Sequence, residues 1–415
     1  MQTLTDYLPA WFPTGPSLAQ LIASVAVVVL ALHVILGACA YAIWLERRLS
    51  AWMQDRVGPN RVGPWGLLQP IADGLKFFLK EDYTPTNVDR SLFTMAPALL
   101  AIPSLIGFVI IPWGGALDLS TLPIIGKELG LTGAVKIVGA DVNIGVVYML
   151  AIASLSVYGV ALGSWASNNK FAFLGGLRAS AQIISYEIPM GVCMLAVILM
   201  SGSFTPGGII AGQQENVWNI FQQPLTAVLF YTCMLAETNR LPFDLAECES
   251  ELVGGYHTEY SSMRFALFFL AEYFNMIASS ALFVVLFLGG WSVNPFGAFY
   301  HWDLPFVGSL PVVVAQIGVM AGKTFLVVSL GIALRWTLPR FRFDQLMRLA
   351  WEGMIPTALL ILTCTAVFVY FGIVQWMWVG SLLCLSIIWF VGPRLPKSAS
   401  PNAKIGMIGS RFSPA

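Results

Sequence analysis

Long apolar runs separated by short polar segments set the pattern of this chain. Runs of spanning length lie near residues 18–45, 91–112, 142–166, 182–201, 217–236, 263–290, 310–334, 354–372 and 373–391. A helix needs about 20 apolar residues to cross the hydrocarbon core of a bilayer, so each run predicts a membrane-spanning helix. The last two form one stretch of ~38 residues, too long for a single crossing at about 1.5 Å per residue. Gly372 offers the tight turn of a hairpin between them. The expected fold class is an all-α polytopic membrane protein: eight core transmembrane helices and a ninth, with cytoplasmic loops containing short amphipathic helices. One such helix is predicted in LLQPIADGLKFFLKED, where Leu67, Ile71, Leu75 and Phe78 recur at helical spacing opposite Gln69, Asp73, Lys76 and Lys80.

Composition agrees with this pattern. Of 415 residues, 57% are apolar and 11% charged, against roughly 25% charged in soluble domains. Mean hydropathy is +0.75. A single membrane domain is expected over 1–415. No cleavable signal is expected, because the first 17 residues carry Pro9, Pro13 and Pro16 and no Lys or Arg.

The net charge of zero conceals a strong sidedness. Seven Lys or Arg fall in 46–90, two in 167–185, two in 236–264, four in 335–350 and four in 392–415. By the positive-inside rule, loops after odd-numbered spans are cytoplasmic, or on the matrix side in an organelle, and the N-terminus faces outward. The basic tail (Arg394, Lys397, Lys404, Arg411) lies inside only if the ninth span exists, so charge independently favours that span.

Charge chemistry concentrates in AETNRLPFDLAECESELVGGYHTEY, Ala236–Tyr260. It carries Glu237, Asp244, Glu247, Glu249, Glu251 and Glu259 at a membrane boundary. From Pro242 it reads as a helix start, with Asp244, Glu247 and Glu251 sharing one face. A solvated acidic face is the ordinary explanation of such a pattern. The same sign recurs inside the adjoining spans, however, at Glu187 and Glu272, and Lys323 lies near a midplane. An unpaired ion there costs about 2.5–3.5 kcal/mol on insertion scales, so these groups should face the bundle interior. Pairing of Lys323 with Glu272 would account for two of them. Four charges in four spans, continuous with an acidic loop, read better as a hydrated polar path.

Other chemistries are not expected. The glycines of Gly58–Gly66 interleave with Pro59 and Pro64, and no phosphate-binding Gly-Lys-Ser/Thr follows. Only His33 among three histidines lies in a span, and six cysteines show no C-x-x-C spacing, so no haem, FMN or iron–sulfur cluster is expected on this chain alone, and no metal site.

Several segments carry a family resemblance: ERR with QDRVGPNR, GLLQPIADGLKFFLKE, SNNK with LRASAQIISYE, the acidic stretch, FALFFLAEY and PRFRFDQLM. In that order, over roughly residues 41–350, they resemble the H subunit of bacterial NADH:quinone oxidoreductase (respiratory complex I), the counterpart of mitochondrial NADH dehydrogenase subunit 1. On this resemblance, residues 1–350 hold the family core, 351–391 the last two spans and 392–415 a basic tail. The resemblance implies a component of the bacterial inner membrane joining the peripheral redox arm to the proton-pumping membrane arm. The implied substrate is a quinone, ubiquinone or menaquinone. The implied partners are peripheral subunits holding the quinone headgroup and the terminal iron–sulfur cluster, and small and antiporter-like membrane subunits. Carried over by motif, Arg47, Arg56, Asp73, Phe243, Asp244 and Arg335 border the quinone tunnel. Glu187, Glu237, Glu247, Glu249, Glu251, Glu259 and Glu272 form the proton path, and Lys323 matches the lysine of the seventh span. Glu46 and Asp55 fit a functional role and a pin for the first loop equally. Two other classes remain in view: a membrane anchor of a related hydrogenase complex, and an autonomous secondary transporter. The chain departs from the resemblance in its ninth apolar segment and tail.

Overall fold

The computed structural model describes residues 16–118, 121, 134–244, 252–297 and 303–391. The chain opens with α1 (Pro16–Met53), followed by the amphipathic α2 (Gln69–Leu79) and by α3 (Arg90–Gly107). Asp89 starts α3, its carboxylate accepting from the amides of Ser91 and Leu92. Next in the chain come α4 (Gly145–Ala166) and α5 (Lys170–Ser201), the latter capped by the Asn169 side chain. Two short helices, α6 (Pro206–Glu215) and α7 (Asn219–Gln222), precede α8 (Pro224–Glu237). The long α9 (Ser262–Phe287) and α10 (Leu310–Thr337) follow. Then α11 (Phe343–Arg348) runs through a π-helical turn, Leu349–Met354, into α12 (Ile355–Tyr370). The last helix is α13 (Met377–Val391), reached through Gly372 at φ +70°.

Among the described residues, seven helices are long and apolar enough to cross a membrane, and Pro224–Glu237 and Val374–Phe390 are shorter apolar helices. The nine apolar runs of the sequence therefore all reappear as helices, although their limits shift. The fifth apolar run begins at 217, yet α8 begins only at Pro224. Trp218 and Gln223 leave the helical path on either side of the short α7, and Pro224 lacks the amide that would extend α8 backwards. The fourth helix instead reaches back to Lys170, well before residue 182.

The helices pack in sequence neighbourhoods: α3 against α4, α4 against α5, and α5 against α8 and α12. Helix α9 lies in the middle, touching α3, α8 and α10. Its apolar stretch is 72% buried, against 22% for Phe343–Tyr370, so the core forms on α9 while α12 keeps an open face. The rings of Phe230, Phe283 and Phe287 pack against one another at tilted angles within that core. One feature that the apolar pattern does not foretell is a small sheet: β1 (Ala116–Asp118) pairs antiparallel with β2 (Ala134–Lys136) and parallel with β3 (Val307–Gly308). The basic tail, 392–415, lies outside the described residues.

Candidate functional site

The last turn of α8 and the residues after it organise two polar clusters. Gln182 of α5 fixes this segment: its amide donates to the carbonyls of Ala236 and Phe243, each at 2.8 Å, and to Asn239 at 3.2 Å. Held in that way, Arg240 faces one cluster and Glu237, three residues earlier, faces the other.

The first cluster centres on Glu46 of α1. Arg240 Nη1 lies 3.2 Å from one carboxylate oxygen and 3.4 Å from the second. Arg335, near the end of α10, donates to the same carboxylate, and the Tyr273 hydroxyl of α9 donates at 2.6 Å. The Arg240 guanidinium also lies 4.4 Å from the Tyr273 ring centre. Glu46 and Arg240 side chains are each only 9% exposed, so two ions share a site with little water, and each is stable there because the other is present. Burial by itself would lower the pKa of Arg240, but Glu46, then Tyr273 and Glu272, outweigh it and raise it. Nε and Nη2 of Arg240 and Nε of Arg335 are buried without an acceptor among the described residues.

The second cluster is acidic. Glu237 lines a cavity of ≈ 50 Å³ with Ser104 of α3, and Asn275 and Ser279 of α9. Glu187 of α5 is the charged group that acts on Glu237, and it takes a hydrogen bond from Ser154. Nearby on α9, Glu272 accepts from the Tyr256 hydroxyl at 2.8 Å, and its charge is felt at Arg240. Glu187 is thus within electrostatic reach of Glu237, and Glu272 lies one helical turn before the Asn275 that lines the Glu237 cavity. Glu259 lies apart, half-buried, taking a bond from Asn169 at 2.5 Å.

Lys323 does not pair with Glu272. Its three N–H groups reach the carbonyls of Leu288 (2.5 Å), Gly290 (3.0 Å) and Ser292 (2.5 Å), just past the end of α9, and the ammonium lies 3.9 Å from the Trp218 ring centre. Carbonyls exposed at a helix C-terminus attract a cation, and a lysine has three donors to give them. Gly290 makes this loop possible: at φ +56° an added Cβ would come within 2.4 Å of Ile210.

At the loop side, Arg47 of α1 pairs with Asp73 of α2 at 2.8 Å, a half-exposed bridge that orients the amphipathic helix. Phe243 is buried between Tyr186 and Phe341, at 5.5 and 5.6 Å between ring centres. Asp244 accepts from Arg340 at 3.1 Å. Arg56 is exposed. Pro242 sits in a turn rather than a helix, and Glu247, Glu249 and Glu251 lie outside the described residues. Sequence pattern leaves Glu46 undecided and passes over Arg240 and Tyr273; a lone arginine inside an acidic, membrane-adjacent stretch is the signal that points to them.

The family model described as NADH dehydrogenase matches residues 25–366. A relative from Koribacter versatilis, the NADH-quinone oxidoreductase H subunit numbered 2, is 45% identical over 351 residues, covering 82% of this chain and 95% of the relative. The NADH-quinone oxidoreductase H subunit of Leptospira biflexa is 45% identical over 350 residues, covering 83% and 94%. That of Cytophaga hutchinsonii, numbered 1, is 43% identical over 325 residues, covering 77% and 89%.

The chain belongs to the family of NADH-quinone oxidoreductase H subunits.

The H subunit is a component of an enzyme complex, which makes this chain a membrane subunit of it and quinone the implied substrate. The family match ends at residue 366, inside α12, so α13 lies beyond it.

Proposed function

We propose that this chain walls the passage of quinone toward the redox arm and couples quinone reduction to proton translocation. The observation that supports the reading is the continuity of the two clusters through one short segment, Glu237 to Arg240. A change in the charge beside Glu46 and Arg335 reaches Arg240, and the backbone turn held by Gln182 joins that residue to Glu237. In this reading Arg47, Arg56, Asp73, Phe243, Asp244 and Arg335 border the passage. Glu187, Glu237, Glu259 and Glu272, with Glu247, Glu249 and Glu251 of the acidic loop, pass protons inward. The Glu237 cavity has room and polar partners for a few water molecules, at about 10–15 Å³ of such volume each. Lys323 enters as the clamp on the end of α9. Peripheral subunits hold the quinone headgroup, antiporter-like subunits receive the coupled charge, and the N-terminus faces outward from a bacterial inner membrane.

The test is Glu237→Gln in the assembled complex. Quinone reduction with proton pumping should fall by at least about tenfold, the loss expected when one proton carrier is removed. NADH oxidation by an artificial acceptor should persist. Equal loss of both activities in an intact complex would overturn the reading.

A further inference from the structure

Between α8 and α10 runs an apolar groove of ≈ 890 Å³, whose wall includes Phe243 and the Lys323 clamp. Its floor is Trp218, Leu288 and Lys323, and its mouth lies at Leu338, Phe341 and Leu349. It is open along its side, since Val228, Leu326 and Leu330 are 62%, 66% and 52% exposed. Lys323 closes the inner end with all three donors already engaged.

The dimensions identify the occupant. Lys323 to Leu338, the residue after α10, is fifteen residues along the helix axis, about 22 Å at 1.5 Å per residue. One leaflet, headgroups included, is half of roughly 40–45 Å, or about 20–22 Å. Lys323 lies near the middle of α10, and the half-exposed Trp336 marks the interfacial level at the other end. The groove is thus one leaflet deep and stops at the midplane. A transmembrane helix would continue past that floor. Two hydrocarbon chains of ~20 Å² cross-section, set by carbon contacts near 4 Å, fill about 600 Å³ over the ~15 Å half-thickness of the hydrocarbon core, which this groove accommodates.

At the mouth, residues alternate. Leu338 and Phe341 line the groove, and Arg340 and Arg342 are the sequence neighbours of Phe341. Arg340 is bound to Asp244, and Arg348, further on, lies 3.9 Å from Glu352. Arg342 is exposed, with Asp344 also nearby in sequence, and a guanidinium suits bidentate binding of a phosphate. We infer that this groove is a binding site for one two-chain phospholipid of the surrounding bilayer, its acyl chains along α8 and α10 and its phosphate on Arg342. The inference rests on the chain crossing the membrane, and of the proposed quinone passage this groove shares Phe243 alone.

The assembled complex, reconstituted in vesicles containing a phospholipid with a photoreactive acyl chain, tests it. Adducts should map to residues 224–235 and 323–338. Leu330→Trp, which fills the groove, should abolish most of that labelling. Arg342→Gln should lower it about tenfold, the change expected for loss of one charge-assisted hydrogen bond. A diacylglycerol probe with the same chains should label weakly and be indifferent to Arg342→Gln. The inference is overturned by equal labelling with both probes, by labelling that Leu330→Trp leaves unchanged, or by a photoreactive residue at 330 joining to a helix of a neighbouring subunit. Because Leu330 and Arg342 are exposed, neither variant threatens folding, and quinone reduction verifies that the complex is intact.

Discussion

Replacing Glu46 with glutamine removes the negative charge from between two guanidinium groups. Arg240 then keeps a positive charge in a site where both partners are 9% exposed, and water cannot replace what is lost. Breaking a buried pair from one side costs about 3–5 kcal/mol, because the surviving ion stays desolvated. Arg240→Gln strands Glu46 less completely, since Arg335 and the Tyr273 hydroxyl remain on its carboxylate. About 2–3 kcal/mol is expected there, the value of a hydrogen bond to a charged group plus part of the unpaired-ion cost. The double variant removes both ions together and should lose little more than Glu46→Gln alone. The coupling energy is then about 2 kcal/mol, a factor of roughly 30. It is read from the unfolding free energy of the assembled complex across the four-member cycle, with NADH oxidation by an artificial acceptor verifying that each complex is assembled. Losses that add to within about 0.5 kcal/mol would refute the view that these residues act as one electrostatic unit.

Lys323→Met leaves three converging carbonyls without donors. The assembled complex should lose thermal stability, with Lys323→Arg intermediate because a planar fork does not match three convergent acceptors; an unchanged unfolding midpoint for Lys323→Met would sink the clamp. Tyr256→Phe deletes the 2.8 Å bond to Glu272 and should cost about 1.5–3 kcal/mol, visible as a lower denaturation temperature of the complex. Wild-type stability in that variant would show that Glu272 has another sufficient donor.

The helical architecture was legible because hydropathy alone dictates it: apolar runs of spanning length have no stable alternative in lipid. The amphipathic α2 was legible for the same reason, from the spacing of Leu67, Ile71, Leu75 and Phe78. The break before α8 was not, because Trp218, Ile220 and Phe221 kept the run apolar while Asn219 and Gln223 turned inward. The first cluster was hidden for a different reason. Glu46 meets Arg240, Tyr273 and Arg335 across separations of 194, 227 and 289 residues, which no local pattern encodes. Lys323 invites pairing with a carboxylate because carboxylates are visible in a sequence. The carbonyls it binds belong to the backbone and have no letter of their own. Family motifs drew attention to Glu237 and Arg335, but not to the segment that brings their surroundings together.

The shortness of α8 has a consequence for how the chain is made. Its 14 residues rise about 21 Å, less than the hydrocarbon thickness of about 30 Å. The missing depth is supplied by side-chain amides: Asn219 donates to Leu286 and Gln213 to Val285, across 67 and 72 residues, while Gln223 reaches Thr365 across 142. None of these acceptors exists when the fifth crossing leaves the ribosome. At roughly 5–20 residues per second, the first of them arrives about 3–13 s later. During that interval the crossing is a truncated plug whose upper amides must be tended by the insertion machinery or by water. Biogenesis of this half of the protein is therefore ordered by the arrival of α9, and the fifth helix is finished after the sixth.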